Sequence, residues 1–344
     1  MGQDVRNDSR VCRTPPGPMK KLNLYSKPNP ILVAVSLTFI LMTSGLVYYW
    51  MLPLPSGDDG ELTPHATIAI DGDANFTATA MREGWPGDGF PENPYLIDGL
   101  NIDLSGERSY CISIENTRVS FTISNCSLIG DIHHPIAMPA WDAVGIYLEN
   151  VTNGKIVNNI CKNNSVGIFL FNSAYNVVAN NTCRSNSRGI LLKESESNIV
   201  TNNICNSSFY FGIWLAGSDS NTVKNNTCNN NYIGIKLHES DSNTVANNTC
   251  NNEEHGISLE SSDSNTIANN TCNNNYIGIW LDDESEFNTV ENNTFSGNTG
   301  HDIVDEWLAH REYVAKQLVW FLAGCGMILV VSVIAFVKFR RMEF

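Results

Sequence analysis

A repeated block of 22 or 23 residues fills the middle of the chain. Each copy reads approximately Asn-Thr-Val-x-Asn-Asn-Thr-Cys and is followed, about six residues later, by Gly-Ile-x-Leu. A fixed period of this length indicates one supersecondary unit stacked on copies of itself. The residues that mark successive copies are Cys161, Cys183, Cys205, Cys228, Cys250, Cys272 and, in the last copy, Phe295.

The pattern inside one copy indicates short strands. In Gly-Ile-x-Leu, the alternation places Ile257 and Leu259 on one face of a strand and Ser258 on the other. Asn-Asn and Ser-Asp-Ser sequences separate the strands, and no stretch of ten residues in the repeat has a helical period. We therefore predict an all-β fold, a right-handed parallel β-helix of about eight coils over 105–300. An insertion at 130–143 interrupts it, and residues 53–104 form a lead-in that caps the first coil.

The periodic cysteines predict a ladder of free thiols. Residues one period apart stack at strand spacing, about 4.8 Å, and their side chains point the same way. We expect each Cys to act as a small apolar filler, and we regard Cys111 and Cys126 as a disulfide candidate.

Pairs of asparagines recur at one corner of the coil, where stacked amides can hydrogen-bond along the ladder. Several pairs begin Asn-x-Thr sequons, at Asn180, Asn225, Asn247 and Asn269. We predict that these four face the inside of the coil and carry no glycan. The more suitable acceptors lie off the repeated pair, at Asn75, Asn125, Asn150, Asn163 and Asn206.

Two charge-free apolar runs flank the repeats, at 31–52 and 318–337. Each is long enough to cross a bilayer core of about 30 Å as a helix. Basic residues lie on the outer side of both runs, so we predict a cell-membrane protein with cytoplasmic tails at 1–30 and 338–344 and with 53–317 outside. Residues 301–317 have the spacing of an amphipathic helical stem. The alternative is that one run is a buried core helix.

The formal net charge is -15, and all but three of the acidic residues lie in the external part. A strongly acidic surface excludes nucleic acid and anionic membrane surfaces as partners.

The repeat, with the lead-in Gly84-Trp85-Pro86-Gly87-Asp88-Gly89 and Asn93-Pro94-Tyr95-Leu96-Ile97-Asp98-Gly99, resembles the NosD-like family, also called the carbohydrate-binding and sugar-hydrolysis (CASH) repeat family. The resemblance covers 62–300, and the lead-in is similar to that of archaeal surface proteins of this type. It implies a parallel β-helix and two possible activities, copper binding and sugar hydrolysis. Neither motif contains a catalytic signature.

Metal binding has two candidate sites in the sequence. Copper requires clustered His, Met or Cys side chains, and only His133 and His134, with Met138, come close together; no two external histidines fall in the same repeat position. Ca²⁺ could be shared by neighbouring carboxylates at strand spacing, although such a column is also expected as a solvated edge. These acidic turn residues are Glu196, Asp219, Asp241 and Asp263.

A variable position carries the best candidate for binding. The residue between Ile and Leu should point outwards, and several copies place an apolar or aromatic side chain there. A contiguous exposed stripe of this kind indicates an interaction surface, with a glycan as a natural ligand. The alternative is that the insertion or a partner subunit covers its first part. The stripe consists of Tyr147, Phe169, Leu191, Trp214 and Trp280.

We therefore predict a membrane-anchored extracellular module that binds a glycan or another envelope component, or that has a structural role. The alternative is a carbohydrate-active hydrolase or lyase, for which Arg184, Arg188 and Lys193 lie near acidic residues but no catalytic set stands out. The third possibility is a metal-handling accessory protein.

Overall fold

The computed structural model describes residues 62–105, 109–130 and 143–324. Within these residues the chain forms a right-handed parallel β-solenoid of about nine turns, which confirms the predicted fold class. Each turn contributes one strand to each of three parallel sheets. The chain passes from sheet 2 to sheet 3, then to sheet 1, and then to sheet 2 of the next turn.

Sheet 1 contains β1 (Thr63–Pro64), β4 (Leu100–Asp103), β7 (Ser127–Ile129), β10 (Ile160–Lys162), β13 (Thr182–Arg184), β16 (Ile204–Asn206), β19 (Thr227–Asn229), β22 (Thr249–Asn251), β25 (Thr271–Asn273) and β28 (Thr294–Ser296). Sheet 2 contains β2 (Ile68–Asp71), β5 (Ser109–Thr117), β8 (Ala143–Val151), β11 (Val166–Phe171), β14 (Arg188–Lys193), β17 (Phe211–Ala216), β20 (Ile233–His238), β23 (His255–Glu260), β26 (Ile277–Leu281) and β29 (His301–Asp305). Sheet 3 contains β3 (Tyr95–Asp98), β6 (Phe121–Ser124), β9 (Gly154–Val157), β12 (Val177–Ala179), β15 (Ile199–Thr201), β18 (Thr222–Lys224), β21 (Thr244–Ala246), β24 (Thr266–Ala268) and β27 (Thr289–Glu291). Two helices complete the described elements, α1 (Asp73–Glu83) and α2 (Glu306–Gly324).

The register of the sheets follows the repeat, so identical residues stack. Cys161 pairs with Cys183, and Cys183 with Cys205, in neighbouring strands of sheet 1. All eight cysteines of the described residues are free and buried, which confirms the thiol ladder and shows that Cys111 and Cys126 form no disulfide. Burial raises the pKa of Cys111 to about 12, so its thiol stays protonated.

The glycine of Gly-Ile-x-Leu is required by close packing inside the coil. A Cβ on Gly212 would lie 2.6 Å from the carbonyl oxygen of Gly234 and 3.0 Å from Cβ of Cys228. The glycine therefore faces the core, as the following isoleucine does, and the residue before it faces out. This departs from the simple alternation of a strand.

Asparagine ladders line the corners of the coil. The backbone N–H of Asn181 donates to Oδ1 of Asn203 (2.9 Å), and its Nδ2 donates to the carbonyl oxygen of Ile156 (2.9 Å). The same arrangement recurs one turn later, from Asn203 to Asn226 and Val178. Oδ1 of Asn181 accepts from the N–H of Asn159 (3.0 Å), so the inward side-chain amide satisfies an N–H and a carbonyl group of the preceding turn that would otherwise be buried without partners. The predicted hydrogen bonding along the ladder is confirmed for the second asparagine of each pair.

The first asparagine of each pair does something different. Asn180 and Asn225 are exposed, with φ of 58° and 56°, in the left-handed region that Asn tolerates better than most residues. The sequon asparagine is therefore not the one in the ladder, and the prediction that Asn180, Asn225, Asn247 and Asn269 face the inside of the coil is wrong. The ladder residue is the middle residue of each sequon.

The lead-in does more than cap the solenoid. Residues 62–104 supply β1 to β4 and so form the first turn themselves. Between β2 and β3, helix α1 buries Phe76, whose ring lies 5.2 Å from that of Phe121 and 5.5 Å from that of Tyr95. These rings extend the apolar core at its N-terminal end.

The predicted stem begins as a strand. His301–Asp305 pairs with β26, and α2 starts only at Glu306. Among the described residues, no helix is both long enough and apolar enough to cross a membrane. The first predicted span, 31–52, lies outside the described residues, as does most of the second, 325–337.

One ladder position is occupied by a glutamate. Asn231, Asn275 and Asn298 each donate from Nδ2 to the carbonyl oxygen of a ladder cysteine, but Glu253, in the same column, has no donor when its carboxyl is ionised. Its Oε1 accepts from Asn231 (2.9 Å), and its buried Oε2 has no hydrogen-bond partner in the described structure. Burial raises the pKa of this carboxyl well above its ordinary value.

We expect Glu253→Asn to stabilise the solenoid above the ordinary pKa of a glutamate. A raised folded-state pKa means that the contribution of Glu253 to stability is present below the unfolded pKa and is lost as pH rises through the folded one. The gain from the variant should therefore be small at pH 4 and reach about 1–3 kcal/mol at pH 8, the cost of a buried unpaired polar group. Denaturant unfolding at both pH values measures it.

Glu254→Asn provides the control, because Glu254 is the exposed neighbour and loses the same charge. It should change the free energy of unfolding by less than about 0.5 kcal/mol. An equal gain from both substitutions, or a gain from Glu253→Asn that does not depend on pH, would contradict the role of the buried carboxyl.

Candidate functional site

Three columns of side chains form the outer face of sheet 2. The first column is the residue before the glycine, the second lies between Ile and Leu, and the third follows Leu. In β20 these positions are Ile233, Lys236 and His238. Parallel pairing aligns each column from turn to turn, for example Trp214 with Lys236 and Ala216 with His238.

The predicted stripe forms one column of this face. Tyr147 pairs with Phe169, Phe169 with Leu191, and Leu191 with Trp214. Lys236 and Ser258 then separate Trp214 from Trp280. The alignment agrees with the register expected from the repeat.

The N-terminal part of the stripe is buried, contrary to the prediction of a uniformly exposed surface. Tyr147, Phe169 and Leu191 are 8%, 5% and 0% exposed. With Val144 and Val166 of the first column they form a second apolar cluster, separate from the core. The open alternative, that something covers this part, therefore agrees with its burial. Residues 131–142 of the insertion lie outside the described residues.

Aromatic packing fixes this cluster. The Tyr147 ring stacks on that of Tyr110 at 4.7 Å and lies 5.3 Å from that of Phe169. The Tyr147 hydroxyl donates to Oε2 of Glu149 (2.6 Å), and burial raises the pKa of Tyr147 further. The phenol therefore stays protonated and acts as a structural donor.

The C-terminal part of the face is more open and carries both aromatic and charged groups. We call Trp214, Lys236, His255, Glu260 and Trp280 the tryptophan patch. All five are half-buried. The imidazole of His255 lies 5.5 Å from the Trp280 ring, and the Lys236 ammonium pairs with Oε2 of Glu260. The patch therefore offers two indole rings separated by an ion pair and an imidazole.

Several donors of this region have no partner in the described structure. The polar atoms without a partner are Nε1 of Trp214, Nδ1 of His255 and Oγ of Ser258. By contrast, Nε1 of Trp280 donates to Oε1 of Glu306 at the start of α2 (3.2 Å). A buried polar atom without a partner costs free energy, so Nε1 of Trp214 and Nδ1 of His255 reduce the stability of this face rather than present hydrogen-bonding groups at its surface.

The electrostatics of the patch keep its imidazole neutral. Burial lowers the pKa of His255; the negative charge of Glu254 opposes this shift, and the positive charge of Lys236 adds to it. The hydrogen bond from Lys236 lowers the pKa of Glu260, which stays ionised. At neutral pH the patch thus holds a neutral imidazole beside a compensated ion pair.

The acidic turn column is explained by backbone hydrogen bonds. Oδ1 of Asp219 accepts from the N–H of Asp241 (2.8 Å), and Oδ1 of Asp241 accepts from the N–H of Asp263 (2.7 Å). Each of these carboxylates thus accepts a hydrogen bond from the backbone of the following turn. Glu196 is exposed in the preceding turn.

The described part of the chain contains no group of three His, Cys, Asp or Glu side chains that could hold a metal ion. His133 and His134 lie outside the described residues. Two histidines do share one column, contrary to the sequence expectation. His255 and His301 both pair with Ile277, but they lie two turns apart.

The sequence could have revealed more of this face. Strict alternation points the residue before the glycine inwards, so His255 and Arg188 were missed as neighbours of the stripe. The recurring glycine could have indicated the true orientation, because a glycine within a strand often marks a place where another backbone segment approaches closely. The Arg188 guanidinium lies 5.4 Å from the centroid of Trp214, which confirms the outward direction.

The model of one protein family, described as periplasmic copper-binding protein (NosD), matches residues 101–275 and 240–307, together more than half of the chain. The chain belongs to the NosD family. No curated protein matches it in sequence.

Solved structures share the solenoid at low sequence identity. The A-module of mannuronan C-5 epimerase AlgE4 from Azotobacter vinelandii has a TM-score of 0.50 and 13% identity, over 61% of this chain and 71% of that one. DFA-IIIase from Arthrobacter chlorophenolicus A6, without its lid, has a TM-score of 0.47 and 12% identity, over 70% and 78%. Tailspike protein 2 of bacteriophage CBA120 has a TM-score of 0.47 and 12% identity; the match covers 68% of this chain and only 41% of that one. The AlgE4 likeness is one of fold alone.

The copper named in the family description does not fit the donors of the described residues. The ladder cysteines Cys161 to Cys272 are completely buried in the core, and the imidazole of His255 packs against an aromatic ring. Copper requires several converging donors, and no such set exists among these residues.

We expect the imidazole of His255 to titrate below an unfolded-chain histidine, because burial and Lys236 both disfavour its charged form. Lys236→Met should raise the pKa of His255 by removing the nearby positive charge. NMR titration of the imidazole C2 proton, assigned with His255→Gln, measures both. Lys224→Met, which removes a lysine from sheet 3, is the control and should leave the titration unchanged. A pKa of His255 equal to that of an unfolded peptide would contradict the burial of this ring.

Proposed function

We propose that the chain is a surface-displayed β-helix that binds glycans at the tryptophan patch. One observation carries the proposal: Trp214 and Trp280 lie half-buried in the same outward column, with hydrogen-bonding groups of Lys236, His255 and Glu260 between and beside them. Aromatic rings stack on the apolar faces of sugar rings, while nearby polar groups bind the hydroxyls. A flat sheet face suits an extended chain of sugars.

The charges of the patch favour a neutral glycan. Lys236 is already paired with Glu260. Nζ of Lys193, in the third column, lies 3.6 Å from Oε1 of Glu194. The chain as a whole carries a net charge of -15, which repels polyanions. A hydroxyl-rich polymer without carboxylates would meet stacking surfaces and donors without this penalty.

We propose that this module is held at the cell membrane, with 53–317 outside. The support is the pair of charge-free runs, 31–52 and 318–337, and the basic residues beside them. The similarity of the lead-in to archaeal surface proteins points the same way. An envelope component is then the nearest glycan source.

A second candidate function is catalysis on a polysaccharide. The observation that favours it is the neutral imidazole of His255 near the Lys236 and Glu260 pair, since an unprotonated imidazole can accept a proton. The AlgE4 module, which shares the fold, is named as an epimerase of mannuronan. Incubation of the full-length chain with a polysaccharide panel tests this function. We expect new reducing ends or unsaturated sugars from the wild type and none from His255→Asn; absence of both products from the wild type would exclude hydrolysis and elimination.

We expect Trp214→Ala and Trp280→Ala each to weaken retention on an immobilised neutral polysaccharide by about tenfold, equivalent to about 1.4 kcal/mol. The loss of one stacking ring from the patch is the physical reason. Affinity electrophoresis of the full-length chain in gels containing glucan, mannan or galactan measures retention. Gels with a uronate polymer should retain the wild type less.

Phe90→Ala is the matched control, because Phe90 is an aromatic residue of the lead-in with 65% exposure that lies outside the three columns of sheet 2. It should leave retention unchanged. Wild-type retention by both tryptophan variants, with unchanged thermal unfolding, would remove the patch as the binding site.

A further inference from the structure

One exposed corner of the solenoid carries a column of Asn-x-Thr sequons. The corner joins sheet 3 to sheet 1, where seven turns place an Asn pair before the sheet 1 strand. Five turns complete the sequon with a threonine, at Asn180, Asn225, Asn247, Asn269 and Asn292. Two equivalent turns do not, because Asn158 and Asn202 are followed by Ile160 and Ile204 at the threonine position.

The acceptor groups of these five sequons are accessible. All five asparagines are exposed, and in the described structure neither their side-chain amides nor the hydroxyls of the paired threonines form a hydrogen bond. Two of the sequons preferred from the sequence alone are less accessible. Nδ2 of Asn125 already donates to Asp98 (2.8 Å), and Nδ2 of Asn150 to Asn116 (2.9 Å).

The fold accounts for the asparagine of each sequon but not for the threonine. Backbone of positive φ, 54–58° at the five sites, favours Asn whether or not it is modified. The threonine position tolerates other residues, since Ile160 and Ile204 occupy it with 41% and 44% exposure. A hydroxyl there has no structural partner, and Asn-x-Thr is the acceptor sequence for N-linked glycans.

We infer that this corner is a column of N-glycosylation sites. In the reaction, the donor is a lipid-(di)phosphate-linked oligosaccharide, supplied with its transferase by the cell. Nδ2 of the asparagine forms a bond to the anomeric carbon, the bond from that carbon to the phosphate oxygen breaks, and the lipid phosphate leaves with the electron pair. The amide loses one proton to solvent. No electron donor or acceptor is required.

Spacing sets the order of occupancy. Asn225, Asn247, Asn269 and Asn292 lie on consecutive turns, about 4.8 Å apart. Oligosaccharides on neighbouring turns therefore crowd each other. Asn180 stands alone, because the turns on either side of it, at Asn158 and Asn202, lack the threonine. Asn180 is therefore the most fully occupied site.

The column lies opposite the tryptophan patch. It occupies the only one of the three corners that does not border sheet 2. Glycans there leave the patch free while covering the opposite edge. This inference rests on the proposed external placement of 53–317, because the transferase acts outside the cytoplasm.

Mass spectrometry of the full-length chain, produced in a host whose exported proteins carry N-linked glycans, tests the inference. We expect glycan on Asn180, lower occupancy at the four consecutive sites, and none on Asn158 or Asn202. Thr182→Ile should remove the Asn180 glycan, and Ile160→Thr should create one on Asn158. The double variant should move the glycan by one turn at unchanged total mass. Each substitution introduces the residue found at the equivalent position of the next turn of the unsubstituted chain, Ile204 for Thr182→Ile and Thr182 for Ile160→Thr, so both residue types fit this position.

Labelling intact cells with a membrane-impermeant amine reagent reports the placement of the domain independently. A labelled domain with unmodified Asn180 would overturn the glycan column and leave the proposed topology standing. An unlabelled domain with unmodified Asn180 would overturn both. A glycan on Asn158 of the unsubstituted chain would also overturn the inference, since that site lacks the sequon.

Discussion

The hydrogen bonds from inward-facing asparagines to the corner backbone are the constraint on which the solenoid depends. Strands of three to six residues leave a corner after each strand, and the corner backbone has no strand partner of its own. The side-chain amide of Asn181 satisfies the N–H of Asn159 and the carbonyl of Ile156 in the preceding turn, and repetition of the residue repeats these bonds. Because a buried N–H or C=O without a partner costs more than the bond itself contributes, these columns tolerate little variation. Glu253 leaves one oxygen unpaired, and in the same column of the described structure so do Asn164 and Ser208.

Most of the fold could be predicted because equivalent positions of stacked turns have the same environment. A residue type that recurs at one period occupies one environment, so the inner columns of Val, Cys, Ile and Leu were assigned correctly from the sequence. The predictions failed where a position is not decided by periodicity. Both asparagines of a pair recur with the same period, so the repeat alone could not show that Asn180 is exposed while Asn181 is buried. The two asparagines differ in their backbone φ angle, which is positive at Asn180, and the sequence does not give this angle.

The candidate site was harder to predict for a related reason. Periodicity shows that Tyr147 and Trp214 share a column, but not that one is buried and the other open. Burial on an outer face depends on the size and packing of the side chains in the adjacent columns, such as Val144 and Val166 beside Tyr147 and Phe169. The polar residues of the first column were missed because the glycine breaks the alternation of the strand. Its occupants, Arg188 and His255, are the groups that give the tryptophan face its polar character.

In a solenoid of this kind, the inner columns are determined by the fold, whereas the outer columns can carry the residues that bind a ligand. Inner positions repeat because the core and the ladders require it, so their recurrence says nothing about a ligand. Outer positions are free to vary, and a pattern there needs a cause other than the fold. One such pattern is the ion pair between Lys236 and Glu260. Another is the occurrence of either threonine or isoleucine at the exposed first position of the sheet 1 strands, as at Ile160, Thr182 and Ile204. The family description attached to this scaffold concerns copper, yet the described outer columns present indoles, an imidazole and a paired lysine rather than converging metal donors. Membership of the family therefore fixes the scaffold of this chain, while the residues of its outer columns have to decide what it binds.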